Sequence, residues 1–164
     1  MANILFFSRN RSIKVEQIDE QTMRSSCRLQ DTLMEAFVEI TVTLPDLEIT
    51  DIKGEISRSL RKKDKKSIES LRKVIGVRVG PSMRKIIKGL MGESGGDNQL
   101  TFMVEECCNG IILSFTKDEL LNTPLDENRT REFYVNMVKE NIRLYNRCAA
   151  FAPGSSLVEG IEPP

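Results

Sequence analysis

Three groups of residues have the types and spacing to do chemistry. The first is Gly95-Gly96-Asp97-Asn98-Gln99, which stands directly before a long segment of helical apolar periodicity. Two glycines supply a tight turn, and the first turn of a helix leaves backbone N–H groups without intrahelical partners. Asp97, Asn98 and Gln99 would then form a polar set at a buried helix entry, suited to contacting a small ligand. Asp97 serves equally well as a plain N-cap, and its charge would repel an anion at that place. The second group is Glu105-Glu106-Cys107-Cys108. Carboxylates beside thiols suggest metal or redox chemistry, but neighbours on a helix point about 100° apart, so both thiols cannot face one ion. The chain holds no histidine to complete a tetrahedral set, and buried structural cysteine is the plain alternative. The third group is Arg9-Asn10-Arg11. Residues two apart on a strand share a face, so Arg9 and Arg11 could clamp a carboxylate; an exposed strand edge explains them as well.

Charge marks a fourth region. Formal net charge is zero, yet thirteen of the 24 basic residues and only three of the 24 acidic ones lie between Lys53 and Lys88. Lys62, Lys63, Lys65 and Lys66 are its densest part and the candidate anion-binding residues. Such a stretch suits a phosphate, a polyanion or an acidic partner, or else forms a solvated face matched by acids elsewhere in the chain. Residues 40–99 contain no aromatic side chain, so base stacking is unavailable there, which disfavours nucleic acid.

Composition narrows the chemistry further. The 164 residues fit one domain with one core, and 40% hydrophobic with 29% charged residues is ordinary for a globular protein. The absence of histidine removes the usual general base, metal ligand and pH switch together. The four cysteines are scattered and form no CxxC pair, so they read as free thiols in a reducing compartment. No apolar run approaches the roughly 20 residues that span a bilayer. The apolar patch Ile4–Phe7 is too short for a signal peptide and follows no basic region. A cytoplasmic protein with no membrane association is expected. No catalytic residue, metal ligand or cofactor is assigned.

The elements that must position these groups come in two halves. Alternation of apolar and polar residues predicts strands over Arg11–Ile18, Met23–Leu29, Ala36–Leu44 and Leu47–Leu60, with turns at Asp19-Glu20, Gln30-Asp31 and Pro45-Asp46. Short connections imply an antiparallel meander with one buried face. Helices follow over Ser67–Ile75, from Pro81 to Gly92 and from Asp97 to Thr123-Pro124, with Gly110 a weak point in the last of these. A final helix is predicted from Asn128 or Thr130 to about Phe151, with Tyr134, Met137, Val138, Tyr145 and Cys148 on its apolar face. Strands first and helices after define an α+β fold: an N-terminal antiparallel meander packed against three or four C-terminal helices. Residues 1–151 are read as one domain and 152–164, rich in proline and glycine, as a frayed tail.

In this order the pieces resemble a family of small bacterial proteins catalogued as domain of unknown function 2889. The likeness runs over residues 9–122. Arg9-Asn10-Arg11-Ser12-Ile13 matches its basic-x-Arg entry to a strand, and Leu29-Gln30-Asp31 its strand ending in Asp. Ala36–Ile56 matches its hydrophobic strand pair, and Leu71–Gly76 its helix ending in Gly. The family's Gly-Cys-Thr-His-Leu, which opens the final long helix, reads Gly96-Asp97-Asn98-Gln99-Leu100 here. A second cysteine of the family, before the first helix, has no counterpart. The resemblance implies the fold and no mechanism, and any metal or thiol chemistry of the family's Cys and His would be lost in this chain.

Three functions follow as expectations. The first is a non-catalytic domain binding a small molecule or a protein partner, with room for a homodimer, its polar pocket at Gly95–Leu100. The second is an enzyme using Asp97, Glu105 or Cys107, with a divalent metal held by carboxylates and amides. The third is anion or nucleic-acid binding through Lys53–Lys88.

Overall fold

The computed structural model describes residues 5–60, 65–92, 98–122 and 130–162, the side chains of 65–67, 98, 118–120 and 122 excepted. The fold is α+β. Four strands, β1 (Arg9–Asp19), β2 (Thr22–Asp31), β3 (Met34–Thr43) and β4 (Glu48–Ser59), make an antiparallel meander in the order β1-β2-β3-β4. The alternation read from the sequence is the physical cause. In β3 the residues Ala36, Val38, Ile40 and Val42 are buried while Phe37, Glu39 and Thr41 face outward. Their inward neighbours on β2 are Met23, Ser25, Cys27, Leu29 and Asp31.

Four helices follow: α1 (Lys65–Ser70), α2 (Met83–Gly92), α3 (Asn98–Asn122) and α4 (Arg131–Glu140). The 25-residue α3 lies over the inner faces of β1, β2 and β3, and α2 packs beside it. Leu100, Met103, Val104, Cys107, Cys108 and Ile111 are fully buried along it, which is the helical spacing carried into packing.

Gly110 has a role that helix propensity hides. A Cβ placed there would lie 2.8 Å from Ile13 Cγ2, 3.1 Å from Val15 Cγ2 and 3.4 Å from Ser25 Oγ. The missing side chain lets α3 settle onto β1 and β2. It brings the helix close enough for the buried Ser25 hydroxyl to donate to the Cys107 carbonyl at 2.9 Å.

The two edges of the sheet differ. Gly76–Val79 runs beside the start of β4, with Ile49 N–H bonding Val77 O at 2.9 Å, Gly76 N–H bonding Ile49 O at 2.8 Å and Val79 N–H bonding Leu47 O at 2.9 Å. No strand covers the outer edge of β1 among the described residues.

Three expectations are corrected. The first predicted helix is a short α1 that tightens into a 3-10 turn at Leu71–Val74 before Gly76 takes a φ of +88°. The last predicted helix stops at Glu140. Thr130 does cap it, accepting from Phe133 N–H at 3.4 Å, but the chain then passes through 3-10 turns at Ile142–Leu144 and Ala149–Phe151. Between them Asn146 adopts a left-handed φ of 57°, a conformation asparagine tolerates better than most residues, and reverses the chain. Residues 152–162, expected to fray, are held down. Val158 is buried in the core, and Arg131 bonds Ser156 O and pairs with Glu159 at 2.8 Å.

Candidate functional site

Arg9 and Arg11 do share the inner face of β1, and each is taken by a carboxylate of the chain itself. Arg9 Nη2 and Nε reach Asp31 Oδ2 at 2.7 and 2.9 Å. Asp31 Oδ1 accepts from the N–H groups of Leu33 and Met34 at 2.7 and 2.6 Å, and Arg58 donates to the carbonyls of Asp31 and Thr32. Burial alone would raise the Asp31 pKa. The Arg9 guanidinium and the two N–H groups outweigh it and hold the carboxyl below its usual range. Arg11 lies 4.4 Å over the Phe102 ring with Nε 3.6 Å from Glu106. The two arginines therefore close the β1–β2–α3 corner, and this engagement leaves no open clamp for a ligand.

The helix-entry set is placed only in part. Asp97 lies outside the described residues, as do Lys62 and Lys63. Asn98 opens α3, and Lys65 and Lys66 open α1, with side chains outside the description. Gln99 is half-buried and engaged.

The carboxylate and thiol residues of α3 separate. Cys107 faces the sheet, its Sγ 3.7 Å from Val38 O. Burial pushes the Cys107 thiol far up, helped by the neighbouring Cys27 and Cys108. Burial likewise raises Cys27 to about 11 and Cys108 to about 12. Thiols so raised are poor nucleophiles at neutral pH. Glu105 points toward α2 instead. It is buried, its Oε2 stands 3.9 Å from Arg84 Nε, and its Oε1 makes no hydrogen bond among the described residues. Glu105 and Cys107 thus share no cleft, against the expectation of a carboxylate–thiol enzyme. Among the described residues no group of three or more cysteine and acidic side chains is arranged to hold a metal ion. Nor is any described helix long and apolar enough to cross a membrane.

Two concavities are formed by described residues alone. One, about 400 Å³, lies on the outer face of the sheet between Arg28, Glu35, Phe37, Glu55 and Ser57; its charges are mixed, and Arg28 stacks over Phe37 at 5.8 Å. The other, about 520 Å³, opens at the N-terminal end of α2 and is lined by Arg84, Lys85 and Arg147 with Ser82, Tyr145 and Asn146. Among the described residues no carboxylate lines this second cleft. Ser82 and Asn146 hold left-handed φ values of 60° and 57°, a conformation that strains a serine and that often occurs at ligand-holding turns. Arg147 donates to Arg143 O at 3.2 Å and to Gly80 O, both neutral carbonyls. Its pKa is lowered by burial first and by Arg84 second, with Cys108 and the Glu105 carboxylate acting against this. Among the described residues neither Lys85 nor Arg147 has a carboxylate within ion-pairing distance, and Arg84 has only the 3.9 Å approach of Glu105.

Arg84 and Lys85 belong to the basic segment marked in the sequence. Arg147, Tyr145 and Asn146 were missed, because their segment reads as continuous helix and nothing local says that it folds back onto the start of α2. Comparison with family models, with curated proteins and with solved structures found no match.

Proposed function

We propose that this protein is a non-catalytic binding domain whose ligand is a small phosphate- or carboxylate-bearing molecule, seated in the cleft of Arg84, Lys85 and Arg147. The observation that carries the reading is the cleft itself: about 520 Å³, three cationic side chains and no acidic lining among the described residues. The N-terminal end of the α2 dipole adds to the attraction, since helix N-termini favour negative charge by about 0.3–1 kcal/mol at an exposed site, although the Met83 and Lys85 N–H groups already bond the Gly80 and Ser82 carbonyls. Glu105 behind Arg84 moderates the field and orients that guanidinium. The reading moves the pocket from the entry of α3 to the entry of α2 and keeps the basic segment as its source of charge.

The remaining expectations join it as one proposal. Four free cysteines, three of them buried, support a reducing, cytoplasmic setting. The Arg9–Asp31 pair joins two separate motif pieces of the bacterial family catalogued as domain of unknown function 2889, which supports reading residues 9–122 as a divergent member. Tyr145 is the one aromatic side chain among the described lining of the cleft and residues 40–99 contain none, so successive bases find no stacking platform there, which argues for a small anion over nucleic acid.

The test is thermal unfolding with inorganic phosphate or pyrophosphate against chloride of equal ionic strength. A rise in Tm with the phosphates, lost in Arg147→Met and in Lys85→Gln, is expected. Equal Tm in both salts, or an undiminished rise in both variants, would overturn the assignment.

A further inference from the structure

We propose that β1 is a self-association edge: two copies pair their β1 strands antiparallel about a two-fold axis through Val15, making one continuous eight-stranded sheet. The first observation is the asymmetry of the sheet. The start of β4 is covered by Gly76–Val79, whereas the 11-residue β1 has no strand on its outer edge among the described residues. A long open edge presents unpaired N–H and C=O groups to another strand.

The second observation is apolar exposure. Of the eleven exposed large hydrophobic residues among those described, five (Leu5, Phe6, Phe7, Ile13 and Ile18) lie in residues 5–18. They run along the open edge, Leu5–Phe7 before β1, Ile13 within it and Ile18 near its end, and so give that edge apolar surface a second strand could cover.

The third is charge, which selects the occupant. The first half of β1 carries Arg9, Arg11 and Lys14, and the second half Glu16 and Asp19. Parallel self-pairing would set like charges together; antiparallel self-pairing sets opposite ones together. A two-fold axis perpendicular to the sheet keeps inner faces with inner faces, so only positions of like parity can oppose. An axis through Lys14 opposes two lysines. An axis through Ile13 leaves Lys14 facing Ser12 and Glu16 facing Asn10. An axis through Val15 sets Lys14 opposite Glu16 of the second copy on both sides of the dyad. The Lys14–Glu16 pair, 2.8 Å within one strand, then becomes half of a four-charge cluster. The register shift between Gln17 and Asp19 bounds the ladder at one end. Both copies of α3 lie on the same side of the extended sheet, over Ile13 and Val15.

Sedimentation equilibrium of the full chain tests this. A dimer is expected; a mass of one chain, 18.6 kDa, at concentrations up to roughly 0.1 mM overturns it. Lys14→Glu and Glu16→Lys each place like charges in opposition and should weaken the dimer roughly tenfold. Both side chains are well exposed, so both variants should fold. Mixing the two variants restores opposite pairs and should restore a heterodimer. Variants that dimerise like the parent, or a mixture that stays monomeric, would place the interface elsewhere and refute the pairing.

Discussion

Replacing Gly110 with alanine sets two physical effects of opposite sign against each other. Alanine favours a helix interior over glycine by about 1 kcal/mol. The new methyl carbon, however, would lie 2.8 Å from Ile13 Cγ2 and 3.1 Å from Val15 Cγ2, inside the 3.5–4.0 Å optimum for carbon pairs. Both neighbours are β-branched, so their Cγ2 methyls cannot swing aside without rotating a stiff χ1 or moving the strand. Lifting α3 to make room would stretch the 2.9 Å Ser25–Cys107 O bond, a buried contact of about 1 kcal/mol. Overpacking of this kind costs about 1–3 kcal/mol, so with the bond included the packing loss exceeds the propensity gain. Gly110→Ala is therefore expected to destabilise by about 1–3 kcal/mol, a Tm lowered by roughly 2–12 °C for a chain of this size. Urea unfolding at one fixed protein concentration, alone and combined with Ile13→Ala, gives the double-mutant cycle. The Ile13→Ala background removes the closest methyl and should recover part of the loss. A stabilised Gly110→Ala, or strictly additive effects, would refute the close-contact reading.

Two further predictions concern titration. The thiols of Cys27, Cys107 and Cys108 have folded pKa values raised above their ordinary 9.0, so the stability they contribute is complete below pH 9 and is lost as pH rises toward their folded values. At pH 10 each thiol accounts for about 1.4 kcal/mol of that loss, and Cys107→Ala should flatten the urea stability difference between pH 8 and pH 10 by about that amount; an unchanged slope would sink the argument. Asp31 titrates in the other direction. Its folded pKa is depressed below 3.8, so its contribution holds above the unfolded value and is lost as pH falls below it. Asp31→Asn keeps an oxygen for the Leu33 and Met34 N–H groups and loses the charge facing Arg9, so it should cost about 1 kcal/mol. Asp31→Ala also abandons both N–H groups and should cost about 3 kcal/mol by urea unfolding; equal losses would mean that the hairpin bonds carry nothing.

What the sequence disclosed follows the range of the interactions involved. Strands show as alternation because burial on one face is a local constraint on residues two apart. The long helix shows for the same reason at helical spacing, and Thr130 because a cap reaches only three residues. Gly110 was visible as an oddity whose meaning needed the strands beneath it. Arg9 and Arg11 were rightly placed on one face, but their partners stand on β2 and α3, and spacing along one strand cannot identify a carboxylate from another element. The segment after Glu140 misled because its apolar residues keep a helical rhythm. Asn141, at φ −125°, ends the helix despite that rhythm, and Tyr145 and Arg147 are thereby delivered to α2.

The basic run shows how tertiary structure redistributes a charge pattern. Lys53 faces Glu39 and Asp51 across the outer sheet, and Arg78 approaches Asp46 and Glu48 at the turn before β4. Arg58 spends its guanidinium on the carbonyls of Asp31 and Thr32. These side chains realise the internal match that a charge-segregated sequence allows, and each exposed pair among them contributes little to stability. Arg84 and Lys85 differ because they stand where α2 begins and where Arg147 arrives from a distant segment. A cation beside a carboxylate in water offers little to a ligand. Lys85 and Arg147, with no carboxylate in ion-pairing distance among the described residues, keep more of their charge available around that concavity, and Arg84 shares its charge with Glu105. The density of lysine and arginine along the chain therefore does not by itself say where charge stays unmatched, which depends on the acidic partners the fold brings to each side chain.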